Sequence, residues 1–189
     1  MQAESYVEVW AESRSIAGVV EELCEELAVS LYPAGGFTSH SLVHDCAGNI
    51  KNQLRDNTTE KGFAATFKAA IKEGGKPINV IYIGDYDPSG VLIDRDIERR
   101  LRRHLGDDGD RLTFHWIAIT PEQVEEYGLP KKPRKAKEKR SKEILWTVEA
   151  EALPVPILLQ LLREKVESFL PPGALLVAKA AEESEKATT

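Results

Sequence analysis

VIYIGDYDPSG, Val80–Gly90, sets an apolar run of β-formers against two aspartates, Asp85 and Asp87, and a Pro-Ser-Gly turn. A long amphipathic pattern follows. An unbroken apolar run without alternation fits a strand covered on both faces of an α/β sheet. In such sheets, sites form where strands end at the carboxyl edge. Two aspartates there suit a divalent metal or a phosphate-handling site, although aspartate and glycine are also ordinary turn residues.

Working outward, SYVEVWAE, Ser5–Glu12, reads as the first strand, with Val7, Val9 and Ala11 alternating with Glu8 and Trp10. Ser13 or Ser15 caps a helix running to about Leu27. Leu31 and Tyr32 suggest a short strand before the turn Pro33–Gly36. Helical patterns follow from Ser39 or Ser41 to Ile50 and from Phe63 to Ile71. Asn79–Ile83 is a strand, and the helix after Gly90 carries Val91, Ile93, Ile97, Leu101 and Leu105 as its stripe. GDDGD, Gly106–Asp110, is a turn, and LTFHWIAI, Leu112–Ile119, is a further strand. Short apolar strands separated by helices predict an α/β fold with a central, mainly parallel four-stranded sheet and right-handed crossovers.

TPEQVEEYGLP, Thr120–Pro130, predicts a short capped helix. The α/β domain thus spans 5–130, followed by a basic surface or linker segment at 131–143. Ile144–Val148 is expected to pair as a strand or to lie along the domain. A helix over Pro156–Phe169 follows, within an extension at 144–178 that packs on the core or on a partner. Residues 179–189 read as a flexible tail.

The 189 residues carry a formal net charge of −6, but the charge is segregated. KKPRKAKEKRSK, Lys131–Lys142, holds eight basic residues and one acid, a local +7 against −13 for the remainder. Local patches of this kind meet partners that the average conceals. Cys24 and Cys46 form no CxxC pair, and His40 and His44, although four apart, lack the acidic partner of a zincin. No apolar run is long enough to span a bilayer, and MQAESYVEVW has no export-signal character, so the expected location is the cytoplasm.

Glu12 completes the constellation. It ends one predicted parallel strand as Asp85 and Asp87 end another, so the three carboxylates meet if those strands are neighbours. Clustered carboxylates repel unless a cation neutralises them. Oxygen donors of this type favour magnesium, which keeps several waters and bridges to phosphate.

VEVWAES with Glu12, followed by GDYDPSG with Asp85, Asp87 and Gly90, resembles the Toprim family, the catalytic domain of topoisomerases, primases and some nucleases. The similarity is greatest to the topoisomerase VI A-subunit and Spo11 branch, and to small phage or mobile-element proteins carrying that version of the domain. It covers about Val7–Ala118, with echoes in TPEQVEEYGLP and VEAEALP. The resemblance implies a compact Rossmann-like sheet, Mg2+ at Asp85 and Asp87 with Glu12 beside them, and Glu12 as general acid or base. It also implies a nucleic-acid partner, DNA before RNA.

Several other residues are candidates for phosphate or nucleic-acid contact: Arg14, Gly35 and Gly36, and, in the basic run, Lys131, Lys132, Arg134 and Lys135. Asp94, Glu149 and Glu151 are auxiliary acids, each with an alternative as plain surface. A topoisomerase also needs a tyrosine nucleophile, and Tyr6, Tyr32, Tyr82, Tyr86 and Tyr127 lack the expected surroundings. Two functions follow from the resemblance: a Mg-dependent nuclease-like or topoisomerase-related enzyme, and a non-enzymatic module docking another subunit or a second copy through the Ile157–Leu170 helix. A phosphatase-like hydrolase with Asp85 as nucleophile would want a lysine and further acids on later strand ends, which FHWIAIT does not clearly offer.

Overall fold

The computed structural model describes residues 5–33, 77–87, 90–133 and 145–170. Outside them lie Gly35, Gly36, His40, His44 and Cys46, both helices expected before Gly74, the run from Arg134 and Lys135 to Lys142, the side chain of Asp94, and the tail.

Four strands form one sheet: β1 (Tyr6–Ala11), β2 (Ser30–Pro33), β3 (Ile78–Ile83) and β4 (Leu112–Ala118), in the order β2-β1-β3-β4. All three pairings are parallel. The chain is therefore α/β, with helices α1 (Arg14–Glu26) and α2 (Gly90–Leu105) as the β1–β2 and β3–β4 crossovers. From the centre of the sheet these crossovers run in opposite directions. Right-handed connections then put α1 and α2 on opposite faces, and the crevice of such a sheet opens where the winding reverses, between β1 and β3. Glu12 and Asp85 stand just past the ends of those two strands.

Among the described residues a contiguous core lies on the α1 face. Ile16, Val20 and Leu23 of α1 and Leu158, Leu162 and Val166 of α4 (Val155–Glu167) close over Val7, Val9, Ile81 and Ile83. The apolar stripe of α4 thus covers the chain's own core, the first of its two expected placements. Among the described residues no helix is long and apolar enough to cross a membrane.

The other face corrects the alternation expected of the first strand. Glu8 and Trp10 are as buried as Val9, each with no exposed surface. Tyr6 Oη donates to Glu8 Oε1, and Trp10 Nε1 donates to Glu8 Oε2 at 3.0 Å. Burial pushes the Glu8 carboxyl up to about 7, against the pull of these two hydrogen bonds.

Smaller differences are local. The expected GDDGD turn is a 3₁₀ helix at Gly106–Arg111. Helix α3 (Pro121–Glu126) forms as expected, with a reciprocal Thr120–Gln123 capping box. The basic run does not begin as loose surface: Lys132–Pro133 (β5) pairs antiparallel with Trp146–Thr147 (β6). The expected strand at Ile144–Val148 is reduced to β6 and to a single bridge from Val148 to Tyr86.

Candidate acidic site at the switch point

Parallel pairing of β1 and β3 brings two carboxyl ends into register, Ala11 beside Ile83. The next residue continues the ladder, with Glu12 N–H donating to Ile83 O at 2.8 Å. The Glu12 side chain then turns across the crevice. Its Oε2 accepts the backbone N–H of Asp85 at 2.7 Å and the hydroxyl of Tyr82 at 3.1 Å. Gly84 makes room for this approach: a Cβ there would lie 2.5 Å from both Glu12 Oε2 and Tyr82 Oη.

Burial raises the Glu12 carboxyl to about 7. The Asp85 N–H and the Tyr82 hydroxyl oppose that rise, while the charges of Asp85 and Asp87 reinforce it. Near neutral pH such a group is divided between its two protonation states and can either take or give a proton.

After Gly84 the chain leaves the sheet. Gly84 donates to Ala118 O and accepts from Ile119 N, both at 2.7 Å, and Tyr86 then pairs with Val148 through two 2.9 Å bonds. This second pairing draws the later chain to the site. Asp85 Oδ1 accepts the Ala150 N–H at 2.8 Å. Burial raises the Asp85 pKa, opposed by that N–H and reinforced by the charges of Glu151, Asp87 and Glu149. Asp87 is partly exposed two residues on, and Gly90 opens α2.

Glu149 and Glu151, the acids of the VEAEALP echo, thus flank Asp85 closely enough to perturb it. Each also has a partner in the chain. Lys132 Nζ lies 2.7 Å from Glu149 Oε2, and Ser13 Oγ donates to Glu151 Oε1 at 2.8 Å. The same Ser13 Oγ caps α1, accepting from Ile16 N at 3.0 Å. Ser13→Ala is expected to lower stability by about 1 kcal/mol through the lost cap, read as a shifted urea midpoint at unchanged slope.

Other candidates stand elsewhere. Arg14 is exposed and lines a groove between α1 and β2 with Glu21, Cys24 and Leu31. Lys131 pairs with Glu125, and Lys132 with Glu149. Residues missed in the sequence are Gly84, Tyr82 and the Ala150 amide. The signal for Gly84 was a glycine directly after a fully apolar strand and before an acid, a position where a neighbouring side chain can cross the backbone.

Among the described residues no three His, Cys, Asp or Glu side chains form a ready-made metal cage. In donor type, the hard carboxylate oxygens of Glu12, Asp85 and Asp87 would suit magnesium, which takes oxygen ligands and keeps several waters. Compared with family models, curated proteins and solved structures, the chain matches none.

Proposed function

We propose that the protein is a Toprim-type, magnesium-dependent enzyme that hydrolyses nucleic-acid phosphodiesters. The observation carrying this reading is the 2.7 Å contact from the Asp85 N–H to Glu12 Oε2. It joins two acidic strand ends at the reversal point of a parallel sheet, where the Toprim resemblance expects its glutamate beside its aspartate pair. Asp85 and Asp87 would hold the cation, which when bound offsets negative charge building on the phosphodiester. Glu12 moves the proton, with its carboxyl raised to about 7 and oriented by Tyr82 Oη and the Asp85 N–H. Asp85 is in turn oriented by the Ala150 N–H.

One observation favours a second reading, a binding module that retains the fold without catalysis. The described lysines nearest the acids, Lys131 and Lys132, are both ion-paired within the chain, which weakens the local attraction for a phosphate backbone.

Cleavage of single- and double-stranded oligonucleotides with Mg2+ separates the two readings. Asp85→Asn combined with Asp87→Asn is expected to lower cleavage at least about a hundredfold, the scale for loss of charge stabilisation at a reacting group. Equal cleavage by parent and double variant would remove the site from the chemistry. A parent that neither cleaves nor binds these oligonucleotides would favour the module, with a protein as its partner.

A further inference from the structure

We infer that the aromatic cluster beside the acids is a stacking platform for unpaired bases, and that the ligand of this face is a single-stranded nucleic acid. The inference rests on the nucleic-acid reading above and names the form of the substrate.

Tyr86 sits between Asp85 and Asp87. Its ring lies nearly parallel to that of Trp116, with 6° between planes and 6.1 Å between centroids. It also meets Trp146 at 4.7 Å and 37°. Lys131 Nζ stands 4.8 Å from the Trp146 ring centroid. All three residues are partly exposed, Tyr86 and Trp146 while also packing against the core, whereas Trp10, the third tryptophan of the chain, is fully buried.

The rings are held in place. Trp116 Nε1 donates to Ala118 O at 2.7 Å. Tyr86 is fixed by its two backbone bonds to Val148, and Trp146 by the β5–β6 pairing. Tethering the β5–β6 ribbon requires only apolar contact. Three partly open, pre-oriented rings match the faces of unpaired bases. A duplex hides its base faces in its own stack, so only an unpaired base can use such a surface. The platform is continuous with the site because Tyr86 belongs to the segment that carries both aspartates.

The test uses the parent protein with chelator present, so that binding is read without cleavage. The probes are a single-stranded oligothymidylate, an abasic strand of equal length and charge, and the corresponding duplex. The thymidylate strand is expected to quench tryptophan fluorescence and to bind roughly tenfold or more tightly than the abasic strand, from base–aromatic stacking alone. Trp116→Leu and Trp146→Leu variants that keep the parent's melting temperature should each narrow that gap. Equal affinity for thymidylate and abasic strands, or tighter binding of the duplex, would overturn the platform. Cleavage sensitive to Asp85 and Asp87 could persist in that case, so the two ideas fail separately. Thymidylate-selective quenching in a protein that never cleaves would keep the platform and remove the enzyme.

Discussion

Gly84→Ala is expected to cost about 3 kcal/mol of stability and to disable the acidic site. The new methyl group would begin 2.5 Å from Glu12 Oε2 and Tyr82 Oη, and 2.6 Å from Tyr82 Cζ. Tyr82 cannot retreat, being 1% exposed and packed against Phe114. Glu12 must therefore swing away, giving up the Asp85 N–H and the Tyr82 hydroxyl. Overpacking typically costs about 1–3 kcal/mol, and a buried donor left without its acceptor adds about 1–3 kcal/mol. Gly18→Ala is the control. Gly18 lies inside α1 with nothing within 4 Å of the added carbon, so alanine there should stabilise by up to about 1 kcal/mol. Urea denaturation of both variants, with oligonucleotide cleavage alongside, gives the comparison. Parent-like stability and cleavage in Gly84→Ala would mean that Glu12 does not sit across the Gly84 backbone.

The second large effect is a pH dependence centred on Glu8. In the unfolded chain its carboxyl ionises near 4.5, while in the folded protein it holds its proton to about 7. Between those values the folded state binds more protons, so stability falls as pH rises. The loss begins near pH 4.5, is complete just above 7, and amounts to about 3 kcal/mol for this buried group. Glu8→Gln reproduces the neutral form, with an oxygen for Trp10 Nε1 and an amide that donates to the Tyr6 hydroxyl. The variant should match the parent near pH 4 and exceed it near pH 8. A residual slope of the same sign should remain, because Glu12 and Asp85 are raised as well. Identical pH–stability curves for the two proteins, measured by urea unfolding, would show that Glu8 does not stay protonated in the fold.

Much of this geometry was legible before the structure, for identifiable reasons. VIYI is unbroken by polar residues and VEVWA alternates at the period of a strand, and the helices between strands left parallel pairing as the economical topology. Parallel pairing puts strand ends on one edge, so Glu12 and Asp85 could be brought together on paper. Strand order was not legible, because the pairing of β1 with β3 is a contact between residues some 70 positions apart, as with Glu12 and Asp85. Glu8 was misread because alternation assumes one wet face, and here both faces are covered. The clue lay two residues to either side, in Tyr6 and Trp10, aromatics whose polar tips need an acceptor once buried. The partners of Lys131 and Lys132, Glu125 in α3 and Glu149 just past β6, are ones that no local pattern announces.

The clamp on Asp85 by the Ala150 amide makes the acidic pocket depend on a late stretch of the chain. Glu12, Asp85 and Ala150 come from three stretches of the chain, and the last is translated well after the other two. A chain still on the ribosome already carries all three predicted reactive carboxylates, yet lacks the amide that aims one of them. On the ribosome the pocket therefore closes only after the segment around Ala150 has left the exit tunnel and docked.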